Sequence, residues 1–158
     1  EGCDVYITPT MKEVEVLREI GSDIIAVDGT DRLNCNGRKA YELIREIKEK
    51  YPDQVVMADI ATINDARLCV QAGADIISTT LSGYTADSLD RYALGADFEL
   101  IEQIRKEFPE VFINAEGRIW TREEAKKAYE CGADVIVVGT AITNPMSITK
   151  RFVDYIKK

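Results

Sequence analysis

Ala72-Gly73-Ala74-Asp75-Ile76-Ile77 decides the fold class, because its design recurs at Ile20-Gly21-Ser22-Asp23-Ile24-Ile25 and at Cys131-Gly132-Ala133-Asp134-Val135-Ile136. In each stretch a helix ends, glycine takes the left-handed position just past it, and the chain turns into an apolar strand. Working outward, five short β-branched runs carry this signature: Ile24–Val27, Val55–Met57, Ile76–Ile77 leading into Ser78–Leu81, Val111–Ile113 and Val135–Val138. Each is nearly continuously apolar rather than alternating, the pattern of strands buried on both faces of a parallel sheet.

Between the runs lie helices. Ala40, Leu43, Ile44 and Ile47 share one apolar face, as do Phe98, Ile101, Ile104 and Phe108. Thr62 with Asp65, and Thr121 with Glu124, have the spacing of a capping box. A last helix with Ile148, Phe152 and Ile156 follows Asn144-Pro145. Repeated strand, loop, helix and glycine turn means βαβ units with right-handed crossovers. An open doubly wound sheet and a TIM (β/α)8 barrel both fit. No G-x-G-x-x-G follows a strand, and polar residues crowd the strand C-termini at Asp28, Asp59, Thr79/Thr80, Glu116 and Gly139/Thr140. Barrel active sites gather there, so the prediction is α/β, a TIM barrel.

A barrel closes with eight strands, whereas five are counted here. Val5–Ile7 adds at most a short extended piece before Pro9. Residues 1–158 are therefore expected to be the C-terminal part of a single barrel domain, about the last five βα units, with the first three strands upstream. The opening Glu1, in place of Met, reads the same way.

Bulk properties narrow the partners. Net charge is -8, from 28 acidic and 20 basic side chains, which disfavours nucleic acid and anionic membrane. An anionic substrate is still allowed, because clustered backbone N–H groups hold phosphate inside an acidic protein. There is no histidine, and Cys3, Cys35, Cys69 and Cys131 are widely spaced. No zinc site of the usual kind is expected, and the cysteines read as four reduced thiols of a cytoplasmic protein. No apolar run is long enough to cross a bilayer.

The chemistry-bearing string is Asn114-Ala115-Glu116-Gly117-Arg118-Ile119. It reads as an acid/base carboxylate, Glu116, with Gly117 letting substrate approach the backbone. The bland alternative is a Glu116–Arg118 ion pair propping the rim. Without histidine, proton transfer near neutral pH falls to Glu, Asp, Lys, Tyr or Cys. Val138-Gly139-Thr140-Ala141-Ile142-Thr143 puts small residues between the last strand and a helix, suiting a phosphate cradle at Gly139 and Thr140 together with Gly117. Asp28 and Asp59 could bind sugar hydroxyls or hold a neighbouring Lys or Arg, the latter being the leading expectation for Asp59. Ser78–Thr85, with Gly83-Tyr84 inside it, could hydrogen-bond a sugar or simply cap its loop. Arg32 and Arg38 read as solvated, and Trp120 as packing.

Together, Asp4-Val5-Tyr6-Ile7-Thr8-Pro9-Thr10, Val27-Asp28-Gly29-Thr30, Met57-Ala58-Asp59-Ile60, Ser78-Thr79-Thr80-Leu81-Ser82-Gly83-Tyr84-Thr85, Ala115-Glu116-Gly117-Arg118-Ile119 and Val138–Thr143 resemble the N-acylglucosamine-6-phosphate 2-epimerase family, in order and over the whole chain. The resemblance implies a metal-free, cofactor-free cytoplasmic isomerase of sialic acid catabolism with a TIM barrel. Its substrate is a phosphorylated amino sugar, ManNAc-6-phosphate, epimerised at C2 to GlcNAc-6-phosphate, and it is expected to be a homo-oligomer, a dimer. It implies Glu116 as the assisting acid/base group and Asp28 as a sugar contact. Gly117, Arg118, Gly139, Thr140 and the position of Asn144 fall on the family's substrate-binding loops. The family's proton-abstracting lysine belongs to a strand just before Glu1. Many members carry arginine where this chain has Asn144. Two alternatives stand beside this reading. One is another phosphate-binding barrel, such as a thiamine-phosphate-synthase-like or pentulose-phosphate-epimerase-like enzyme. The other is an inactive piece lacking the lysine.

Overall fold

The computed structural model describes residues 4–157. Five parallel strands, β1 (Ile24–Asp28), β2 (Val55–Asp59), β3 (Ile76–Ser78), β4 (Phe112–Glu116) and β5 (Val135–Val137), lie side by side in chain order. Helices α2 (Ala40–Lys50), α3 (Ile63–Ala72), α4 (Phe98–Glu107) and α5 (Arg122–Glu130) make the crossovers. A further helix, α1 (Met11–Glu19), precedes β1; α6 (Thr140–Thr143) and α7 (Pro145–Ile156) follow β5. Two 3₁₀ segments, Thr79–Leu81 and Ala86–Leu94, fill the connection from β3 to α4. Consecutive strands are neighbours throughout, as successive βα units of a barrel wall require.

Local chemistry sets the boundaries. Thr62 and Thr121 start α3 and α5 with the expected boxes: Asp65 N–H donates to Thr62 Oγ1 at 3.2 Å and Glu124 N–H to Thr121 Oγ1 at 3.1 Å, each carboxylate answering the cap N–H. Gly73 ends α3 at φ 99° and Gly132 follows α5 at φ 109°, a region closed to side chains with Cβ. Asp75 and Asp134, the aspartates of the repeated design, reach across to the neighbouring strand. Val56 N–H donates to Asp75 and Ile113 N–H to Asp134, both at 2.8 Å.

One sheet face is dry. Ile25, Val27, Val56, Ala58, Ile77, Ile113 and Ala115 are fully buried with Leu43, Ile44, Ile47, Ile101 and Ile104 of the helices. The other face differs from the expectation of double-sided burial: Ile24, Phe112, Val135 and Val137 are 37–49% exposed. Strand side chains alternate, so these residues point away from the helices, into the side that closes on itself only in a complete barrel. Val5–Ile7 is not a strand, yet Asp28 N–H donates to Ile7 O at 3.0 Å and Val5 is buried, so residues 5–7 lean on β1.

The expectation of four reduced thiols fails at Cys35, which is disulfide-bonded; Cys69 and Cys131 are free and Cys3 lies outside the described residues. Spacing along the chain says little about which cysteines fall within the ~6 Å between Cα atoms that a bridge needs. Among the described residues no helix is long and apolar enough to cross a membrane.

Candidate active site

Asp28, Asp59, Ser78 and Asn114 form one row across four strands, registered Asp28 to Asp59, Asp59 to Ser78 and Ser78 to Asn114. All four are buried. The row sits at the C-terminal ends of the strands. Glu116, two residues beyond Asn114, projects on the same face.

The two aspartates have opposite surroundings. Asp28 accepts from Thr30 N–H at 3.0 Å and from the Thr30 hydroxyl at 2.6 Å, and its second oxygen pairs with Arg32 at 2.5 Å. Arg32 also donates to Thr30 Oγ1 at 3.0 Å and Asp4 O at 3.1 Å, so it is a rim tether rather than solvated surface. Asp59 has no ion pair among the described residues; the leading expectation for it, a salt bridge, applies to Asp28 instead. The Thr80 hydroxyl donates to Asp59 at 2.7 Å. Burial pushes the Asp59 carboxyl up to about 6, the Thr80 hydroxyl opposing and the negative charge of Glu116 adding to the rise.

A directed chain of hydrogen bonds links Asp59 to Glu116. Because Thr80 Oγ1 spends its proton on Asp59, the Ser78 hydroxyl donates to Thr80 at 2.7 Å. Asn114 Nδ2 then donates to Ser78 Oγ at 2.8 Å and to Glu116 Oε2 at 3.3 Å. Asn114 Oδ1 is left buried with no partner among the described residues, an acceptor that a bound donor would satisfy. Thr79 holds the Glu116 backbone at both ends: its hydroxyl donates to Glu116 O at 2.9 Å and receives Glu116 N–H at 3.1 Å. No Glu116–Arg118 ion pair forms among the described residues.

Beside this row opens a cavity of about 390 Å³ lined by Glu116, Gly117, Arg118, Gly139, Thr140 and the ring of Tyr84, among others. Five residues expected at the site are thus brought together. Asp28 and Asn144 are not in its lining. Asn144 instead caps α7, its side chain accepting Ser147 N–H at 3.0 Å. Trp120 lines the cavity and carries Arg151 4.3 Å above its ring. Sequence reasoning offered Ser78 and Thr80 only as possible sugar-binding or loop-capping hydroxyls and gave Asn114 no role. The signal was available in part, since each follows directly on an apolar run or sits inside the string around Glu116, but the row itself is set by register.

The family described as "Putative N-acetylmannosamine-6-phosphate epimerase" matches residues 1–158. A relative from Caldanaerobacter subterraneus subsp. tengcongensis, carrying the corresponding 2-epimerase description, is 51% identical over 158 residues; the match takes 100% of this chain and 65% of that protein. The solved structure of the N-acetylmannosamine-6-phosphate 2-epimerase from Clostridium perfringens superposes with a TM-score of 0.87 at 43% identity, covering 98% of this chain and 66% of that one. An inosine 5′-monophosphate dehydrogenase from Legionella pneumophila, 23% identical with a TM-score of 0.63 over 82% of this chain and 39% of that one, shares the fold alone. The chain spans just under two thirds of the relative named first.

Proposed function

From the premise that the chain belongs to the N-acetylmannosamine-6-phosphate epimerase family, we propose that the whole protein interconverts ManNAc-6-phosphate and GlcNAc-6-phosphate by moving the proton at C2. The observation that carries this reading is Glu116: a carboxylate without a cation partner among the described residues, fixed at its backbone by Thr79, facing one cavity with Gly117, Gly139 and Thr140. Reversible deprotonation beside a carbonyl needs such a group, free to take and return a proton.

In this proposal a lysine from an upstream strand, as the family resemblance implies, works on one side of C2 and Glu116 assists. Asp59, raised to about 6, is partly protonated near neutral pH and can donate to a sugar oxygen. Neither aspartate lines the cavity; the lone pairs of Asp28 are largely taken by Thr30 and Arg32, so of the two Asp59 keeps more capacity for a sugar hydroxyl. Gly139 and Thr140 open α6, and with Gly117 they can offer N–H groups to the 6-phosphate.

The reaction is proposed to need neither metal nor nucleotide, and the protein to work in the cytoplasm. The test is turnover of ManNAc-6-phosphate by the whole protein in D2O, expected to place deuterium at C2. Product without the label, or activity abolished by EDTA, counts against it. Residues 1–158 alone are proposed to be inactive for want of the lysine. A homodimer is proposed as well, to be checked by sedimentation of the whole protein.

A further inference from the structure

The segment between Ser82 and Gly95 forms one side of the cavity, and one side chain from another loop ties both of its ends. Arg118 Nε donates to Gly95 O at 2.6 Å, and Arg118 Nη1 donates to Ser82 O. Between those ends the guanidinium lies 5.5 Å from the ring centre of Tyr84 and 5.8 Å from that of Tyr92. The two rings meet edge to face with centroids 5.4 Å apart, so they and Arg118 form one three-membered cluster. Both tyrosines line the cavity that holds Glu116.

The surrounding residues are shaped around this contact. A Cβ on Gly83, at φ 82°, would stand 2.7 Å from Arg118 Nη1 and 2.9 Å from Tyr92 Cα. Arg118 itself sits at φ 58°, a conformation that L side chains seldom adopt and that a structure keeps only where its contacts hold it. At the base of the segment the Ser82 hydroxyl donates to Asp97 at 2.6 Å, and Asp97 caps α4 through Leu100 N–H at 3.0 Å. Within the segment Gly83 N–H donates to Ser88 Oγ at 2.9 Å and Arg91 donates to Glu99 at 2.5 Å, so the base and the backbone turn have ties of their own, while the guanidinium of Arg118 is what bridges Ser82 and Gly95 across the two rings.

We propose that Arg118 is a positioning residue, which acts on substrate through Tyr84 and Tyr92 and not as a phosphate ligand. Two of its nitrogens, Nε and Nη1, are directed to main-chain carbonyls of the 82–95 segment, and its guanidinium lies against two rings. The substrate then meets a pre-set aromatic wall opposite Glu116, and binding need not order that segment first. The inference rests on the proposed epimerase reading for its kinetic test but not for its structural one.

Arg118→Met in the whole protein is the first variant. Amide hydrogen exchange in 82–95, measured without substrate, should speed up at least about tenfold while exchange in β4 and α4 stays as in the wild type. Unchanged exchange in 82–95 overturns the latch whatever the enzyme does. With ManNAc-6-phosphate, KM should rise on the order of tenfold and kcat fall no more than about threefold. The inhibition constant of inorganic phosphate should stay within about twofold of wild type, since no phosphate contact is lost. A tenfold weaker phosphate inhibition would instead make Arg118 a direct ligand and overturn the proposal. Tyr84→Leu/Tyr92→Leu should raise KM similarly, and adding Arg118→Met should cost little more; additive losses would mean that the arginine works by another route. Wild-type protein without epimerase activity, but with the exchange result as expected, would sink the functional reading and leave the latch standing.

Discussion

Asp28 and Asp59 end neighbouring strands side by side, at the same register, yet the two halves of the rim they begin are built on opposite rules. On the β1 side every oxygen of the carboxylate is answered, by Thr30 and by the Arg32 guanidinium. On the β2–β4 side Asp59 and the half-buried Glu116 share one polar chain, with no cation in it among the described residues. Neutralised charge holds a loop; a carboxylate left without a counter-ion stays available for chemistry, and at Asp59 burial also raises its affinity for protons. The first arrangement contributes stability. The second costs stability, which is a reason to read it as function.

The comparison breaks most readily at Glu116. Glu116→Gln in the whole protein should lower kcat by roughly 10²–10⁴-fold, the scale of a general acid/base group, with a much smaller change in KM. Near-normal turnover would reduce Glu116 to a rim residue and remove the contrast.

Asp59→Asn tests the cost directly. With a folded pKa of about 6 against 3.8 for the ordinary group, the native state binds more protons than the unfolded one between those values. Stability therefore falls as pH rises through that window, and above it the ionised carboxylate costs about 3 kcal/mol. Asparagine keeps an acceptor for Thr80 and carries no charge. The variant should match wild type near pH 3.5 and be more stable by about 3 kcal/mol at pH 7.5, while losing activity. Denaturant melts at the two pH values decide; equal differences at both would mean that Asp59 does not titrate in this window.

The smallest effect belongs to the paired side. The Asp28 carboxylate is 2% exposed and the Arg32 side chain 35%, so solvent screens the pair partly. Arg32→Met should cost about 2 kcal/mol, chiefly by leaving Asp28 underserved, and keep kcat within about threefold. A large loss of turnover at unchanged melting temperature would place Asp28 and Arg32 in the chemistry and erase the distinction between the two sides.

What the chain alone determined was the βαβ repeat, its glycine turns, its capping boxes, and the strings that put Glu116, Gly117, Gly139 and Thr140 in the lining of one cavity. These are local signals: a left-handed glycine, an i,i+3 cap and an apolar run each act within a few residues, and six ordered strings resemble one family. Tertiary structure decided what depends on register and on contacts between distant segments. It made Asp28 the paired aspartate and Asp59 the unpaired one, because Arg32 folds back over its own loop while nothing cationic reaches the end of β2 among the described residues. It aligned Ser78 and Asn114 into a chain between Asp59 and Glu116. It turned Arg118 toward Ser82 and Gly95 instead of Glu116, since a residue at φ 58° following Gly117 at φ 104° sends its side chain where no spacing rule predicts.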